Sequence, residues 1–388
     1  WQTSLAPPRT PAAPAAWRWP SGSPQPTRCG CRRCPRSVAP RRRTAPQPLR
    51  TAELELPTEP IAAPALVVGG AIAGTHGPIS DLAVSSDGGR LVAAHYADDV
   101  VSIVDTAAMA VTATITDVPE PYRVTVADRA YVSSASDSDD AVVAIDTTTG
   151  RALAATIVDE TAAGIAVNPA GDVLYVGRNG DEVVDIAAID VETGATRVIE
   201  LTTAPGASVD AIRVSADGTR VFAAVTTPAG GSLAIIDTRS GAVQRTAALG
   251  GSIGDIAVAP RGRKVFVTGW DAELGGVIHV VDAAAARLID TVALGGLPTQ
   301  LVFGRGGDIA FVVDRDQIVV LCTATHEVID SVVIGGQLSC LAASPDGAQL
   351  YAADYAGTIT ALRVEAGTGH ALHELVSTGL RELAAAAS

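Results

Sequence analysis

ALGGSIGDIAVAPRGRKVFVTGW, residues 248–270, sets a Gly-Gly turn before a short apolar run, then a Pro/Gly corner, then a Val-rich run. The same grammar returns at ALGGLPTQLVFGRGGDIAFVV (293–313) and at VIGGQLSCLAASPDGAQLYAA (333–353). Recurrence at a fixed period marks a repeat architecture, so the period is the first quantity to measure. Apolar runs ending in Asp-Thr or a relative place Asp105, Asp146, Asp190, Asp237 and Asp282 in series, and Thr323 and Val364 continue it with the Asp lost. The spacings are 41, 44, 47, 45, 41 and 41 residues. The corner gives a second series in phase with the first: Gly88, Gly171, Gly218, Gly262, Gly307 and Gly347, with the shortened VTVADRAYV (124–132) standing for the missing copy.

Each copy holds four short strands. In the quoted one, IGDIAVAP is the inner strand, KVFVTGW the second, VIHVVDA the third and RLIDTVALGG the fourth. Gly and Asp-Gly at the corners supply the positive φ of tight hairpin turns. Four strands per unit of about 40–50 residues is the signature of a β-propeller. The expected fold is all-β, a seven-bladed propeller of four-stranded antiparallel blades over residues 58–366. The seventh copy stops after its third strand, and ALVVGG (65–70) matches the fourth-strand ending VVIGG (332–336). Residues 62–70 are therefore expected to complete the last blade, removing two exposed strand edges.

Composition agrees. Hydrophobic residues make up 47% and aromatics only 4%, so the core is built from Val, Ala, Ile and Leu, and β-branched richness favours strands. The net charge is −14 but uneven. Residues 1–50 hold ten Arg, eleven Pro and no Asp or Glu; all 42 acidic residues follow, beside the remaining 18 basic ones, leaving that stretch at −24. Such a propeller repels nucleic-acid phosphates. Residues 1–57 show no apolar period and are expected to be a disordered Arg/Pro-rich tail. The Trp1 start also fits a fragment or a wrongly extended reading frame, and a basic nucleic-acid-binding arm is the functional alternative. One Lys against 27 Arg suggests a GC-rich bacterial genome.

The repeats resemble the YVTN-repeat family of seven-bladed propellers, the YncE-like proteins, in SPDGAQLYAADY, KVFVTGW, VVAIDTTTGRAL and LAIIDTRSGAVQ. The resemblance covers about residues 62–364 and implies architecture, with no shared catalytic set. It also implies export in many members, although no apolar signal segment is visible and the chain as read is cytoplasmic. WD40 repeats are the neighbouring possibility, but Trp270–Asp271 follows a second strand, whereas the WD40 dipeptide closes the third. The 14-residue run IAAPALVVGGAIAG is too short to span a bilayer.

Enzyme motifs are thin. VVGGAIAG (67–74) lacks the middle Gly and the helix of a dinucleotide fingerprint. GGSIG (250–254) spells a nucleophile elbow around Ser252, but a strand follows where a helix is required. His76, His95, His279, His326, His370 and His373 show no ligand spacing except in the last pair. Cys29, Cys31 and Cys34 lack a fourth zinc ligand, while Cys322 and Cys340 sit in apolar runs as small hydrophobes. HALHELVSTGLRELAAAAS (370–388), in a C-terminal tail spanning 367–388, is the one helical candidate.

The channel remains. Aligned inner strands bring Asp81, Arg123, Gly164, Ala211, Asp255, Gln300 and Cys340 to one ring position, preceded by Ser80, Tyr122, Ala163, Asp210, Gly254, Thr299 and Ser339. Solvated tunnel lining is the structural reading of these polar interruptions; ligand contact through Asp81, Tyr122, Arg123, Asp210, Asp255, Thr299 and Gln300 is the functional one. Loops after the second strands carry Asp98, Asp99, Asp139, Asp140, Asp181, Asp271, Asp314, Asp316 and Asp354 on one face. This acidic face attracts cations or basic partners. No cofactor is expected, with calcium or another divalent cation as the alternative. The favoured function is a monomeric, non-catalytic binding or scaffold module for a protein or small ligand. The alternative is a propeller-type hydrolase or lactonase using channel Asp and Arg, with or without metal assistance.

Overall fold

The protein is described here by a computed structural model covering residues 63–72, 76–136 and 140–365. The Arg/Pro-rich tail with Cys29, Cys31 and Cys34, the C-terminal helical candidate with His370 and His373, and Asp139 all lie outside the described residues. Seven four-stranded antiparallel sheets occupy residues 79–115, 121–158, 161–202, 208–250, 252–293, 298–333 and 338–365, here blades one to seven. Blade seven takes its fourth strand from Ala65–Ile72, which pairs antiparallel with Ile359–Glu365 through Val67–Arg363 and Ala71–Thr360. A bulge between Val68 and Gly70 interrupts the pairing, so the Gly-Gly pair that spelled part of a dinucleotide motif lies in an outer strand. Among the described residues the one helical element is a 3₁₀ turn, Arg305–Gly307, and no helix is long and apolar enough to cross a membrane.

Local chemistry explains the repeat. The six corner glycines, from Gly88 to Gly347, all have φ between 65° and 78°, which a side chain resists. The Asp that ends the third strand of blades one to five folds back on the next turn: Asp237 Oδ1 accepts the N–H and the hydroxyl of Ser240, both at 2.8 Å, and Asp282 Oδ1 accepts the N–H groups of Ala284 and Ala285. Both series are therefore turn requirements, the Gly met in six blades and the Asp in five.

Packing closes the ring. Seven apolar clusters sit one between each pair of neighbouring blades, and the cluster of Leu82, Leu91, Tyr351 and Ile359 joins blade seven to blade one. The second strands of blades two to seven each wedge a buried aromatic between sheets: Tyr131, Tyr175, Phe222, Phe266, Phe311 and Tyr351. Each such burial stabilises by about 1.5–3 kcal/mol.

Candidate functional site

All seven inner strands break register at the same depth. The ladder to the second strand slips between Ile79 and Asp81, Pro121 and Val124, Ala162 and Ile165, Val209 and Ala211, Ile253 and Ile256, Pro298 and Leu301, and Leu338 and Cys340. A bulge leaves residues outside the ladder and re-aims their side chains. The residues left out of the ladder include Ser80, directly before Asp81, and the pairs Tyr122–Arg123, Gly254–Asp255 and Thr299–Gln300. Hydroxyl groups take up freed backbone N–H groups: Ser133 Oγ accepts from Arg123 N at 2.9 Å, and Thr268 Oγ1 from Asp255 N at 2.8 Å.

These bulges build a polar floor across the channel. Asp81 Oδ2 accepts from Val124 N of the next blade at 3.0 Å, and its Oδ1 accepts from Leu82 N and from Gln300 Nε2. Gln300 Oε1 accepts in turn from Leu341 N. Arg213 Nη2 donates to Asp255 Oδ1 at 2.7 Å, while Asp255 Oδ2 is buried without a hydrogen-bond partner. Burial pushes the Asp81 carboxyl above its usual range, against the opposing pull of the Arg123 charge. Burial also works against the Arg123 charge, and Asp81 and Asp255 outweigh it, so Arg123 stays firmly protonated. Burial, reinforced by Asp81, raises the Cys340 thiol well above its ordinary value, and it is no ready thiolate.

Two chambers flank the floor. The smaller, about 280 Å³, is lined by small apolar side chains such as Val84, Val126 and Ala343, together with Asp81 and Arg213. The larger is a mouth of about 600 Å³ bounded by the first residues of the inner strands and the last of the second strands. Its lining includes Tyr122, Arg123, Asp210, Thr299 and Gln300, and also Tyr96, Trp270 and Tyr355. These four aromatics are 40–51% exposed, and every exposed aromatic among the described residues is one of them. Arg123 stacks on Tyr122, its Cζ 5.1 Å from the ring centroid. Asp210 is engaged with Ser208 Oγ and Thr226 Oγ1, whereas Thr299 Oγ1 is buried with no partner.

The ring alignment thus brings Asp81, Arg123, Asp255 and Gln300 into one floor, with Asp81 and Asp255 outside the lining of the mouth. In the loops after the second strands, most of the carboxylates staple backbone. Asp98 accepts from Gly77 N at 2.6 Å, Asp99 from Glu120 N, Asp140 from Ala162 N and Asp314 from Leu297 N. Asp271 and Asp354 cap their own turns. Asp181 and Asp316 are exposed and carry no side-chain hydrogen bond among the described residues. No three His, Cys, Asp or Glu side chains among the described residues are grouped to hold a metal ion. Burial holds His95 and His279 below the usual histidine value, hence neutral near pH 7. His326 instead bridges Asp290 and Lys264 at 2.9 and 2.8 Å. Ser252 lies in a strand and lines the mouth without a base beside it. A reading of the second-strand loops by charge alone passes over Tyr96, Trp270 and Tyr355.

No family model matches the sequence. The chain is 33% identical over 320 residues to the seven-bladed beta-propeller protein Rv1057 of Mycobacterium tuberculosis, covering 73% of this chain and 81% of that protein. Its fold is also that of a chain of Kuenenia stuttgartiensis hydrazine synthase, at TM-score 0.68 and 20% identity, covering 77% of this chain and 99% of that one. With seven blades, one ring and a relative at that level of identity, the chain belongs to the seven-bladed β-propeller family of Rv1057.

Proposed function

We propose that this propeller, of the YVTN-repeat type, is a non-catalytic binding module whose ligand sits in the channel mouth. One observation carries the reading. In a chain with only 4% aromatics, six serve as blade wedges, and the four that are exposed among the described residues surround a single cavity floored by a charged arginine. Stacking partners and one fixed charge in a preformed concave site are what small-ligand recognition uses. The alternative, a hydrolase or lactonase working through Asp81, Arg123 and Asp255, draws less support. Asp81 spends both oxygens on N–H donors, Asp255 is paired with Arg213, and neither lines the mouth.

A panel of small molecules and short peptides, screened by thermal shift, tests the reading. Stabilising compounds are expected to lose affinity roughly tenfold in Trp270→Ala and in Tyr96→Ala/Tyr355→Ala, since each stacking contact contributes about 0.5–1.5 kcal/mol beyond its buried area. Compounds that stabilise these variants as well as the parent would place the ligand elsewhere. Turnover of any panel member that disappears in Asp81→Asn/Asp255→Asn would favour the enzyme instead.

A further inference from the structure

We infer that the mouth takes a small aromatic zwitterion, with its carboxylate on Arg123, its ring among the collar side chains and its ammonium group toward the acidic rim. The inference rests on the binding reading above and gives it a ligand class.

Arg123 is the reason for a carboxylate. A guanidinium presents five N–H donors. Two neighbouring arginines spend theirs: Arg213 on Asp255, and Arg178 on both oxygens of Asp185 at 2.7 and 2.8 Å. Among the described residues the Arg123 guanidinium donates no hydrogen bond and forms no ion pair, although it is partly buried and lines the mouth. Its free donors face the mouth, and a planar carboxylate satisfies two of them at once in a charge-assisted, bidentate pair. The Tyr122 ring beneath fixes the fork in place, which lowers the entropy lost on binding. Thr299 belongs to the same lining, and its buried Oγ1 has no hydrogen-bond partner.

The collar and the rim set the rest. Tyr96, Trp270 and Tyr355 offer faces for a ring, and about 600 Å³ lies within the roughly 300–1,000 Å³ of small-ligand sites. A simple aromatic anion would meet repulsion from residues 51–388, whose net charge is −24. An ammonium group at the outer end turns the exposed Asp181 and Asp316 from repulsive to attractive.

Isothermal calorimetry on the full chain tests this with three probes: the dipeptide Gly-Tyr, its C-terminal amide and its N-acetyl form. Gly-Tyr should bind at least about tenfold more tightly than the amide, and Arg123→Gln should abolish that preference. Thr299→Val should weaken Gly-Tyr a few-fold. The N-acetyl form should bind more weakly than Gly-Tyr at low salt, with the gap closing as salt screens the rim. If Arg123→Gln does not fold, Arg123→Lys, which loses the bidentate fork, must reduce the acid-over-amide ratio. Equal binding of acid and amide, dependent on the collar, overturns the carboxylate class and leaves the mouth reading standing. An acid preference that survives in Arg123→Gln, or no heat from any probe at millimolar concentration, also overturns it, while the thermal-shift panel decides the mouth reading separately.

Discussion

The turns and the channel of this propeller use the same side chain in opposite ways. Asp105, Asp146, Asp190, Asp237 and Asp282 recur at the blade period, lie near solvent, and are held below the usual carboxylate range by hydrogen bonds from their own turns. Asp81 breaks the repeat, since its counterparts on other inner strands are Gly164, Ala211 and Cys340 among others, and burial pushes its carboxyl up. What repeats serves the fold, because every blade must make the same turn. What departs from the repeat serves the one place where the blades differ, the channel.

The sharpest way to break that comparison is to remove one aspartate of each kind. Asp255→Ala leaves Arg213, two-thirds buried, without its carboxylate. The expected loss is about 3 kcal/mol, the lower end for a broken buried pair because Arg213 keeps some water contact. Urea unfolding should show a clearly lower midpoint at unchanged slope. Asp237→Ala should cost distinctly less, since water replaces its acceptor in an exposed turn. Equal losses would mean that the channel pair is no more committed than a turn.

The same division decides what could be read from the residues alone. The Asp and Gly series were legible because each answers a local requirement: a turn that bends back on a carboxylate, or a φ that only Gly adopts readily. The ring of Asp81, Arg123, Asp255 and Gln300 was legible as a position, since aligned inner strands place polar residues there. Its bulges were not, because they appear only when a second strand pairs alongside. Nor was the pairing of Gln300 with Asp81, 219 residues apart in the chain. The collar left a signal that reading by charge overlooks: Tyr96, Trp270 and Tyr355 each stand at or just after the end of a second strand, within two residues of an Asp, in a sequence nearly empty of aromatics. Only closure of the ring brings blades one, five and seven to a common mouth.

Acid titration sharpens the contrast through its sign. A turn carboxylate such as Asp217 is lowered from 3.8 to about 2, chiefly by the Ser215 hydroxyl and then by the N–H and hydroxyl of Thr219. Its contribution is fully present above the unfolded value and is lost as pH falls from 3.8 toward about 2. Asp81 is raised, so its contribution is present below 3.8 and is lost as pH rises through its folded value. Asp81→Ala should therefore cost more at about pH 3 than at about pH 7, and Asp217→Ala the reverse. Unfolding free energies of both variants across this window should diverge in opposite directions; parallel curves would remove the distinction between buried and turn carboxylates.

The smallest effect belongs to carboxylates that belong to neither class. Asp314 and Asp316 stand two residues apart in one loop. Asp314 is 4% exposed and accepts the Leu297 N–H at 2.6 Å, so replacing it by Ala strands a backbone donor, which costs about 1–3 kcal/mol. Asp316 is exposed and holds no such bond, as is Asp181 in blade three. Asp316→Ala and Asp181→Ala should each shift stability by less than about 0.5 kcal/mol in either direction. Their removal acts on the field at the mouth, which counts only while salt is low. A loss at Asp316 as large as at Asp314 would show that the rim is held together by its charges, and would merge the rim with the turns as one more structural use of aspartate.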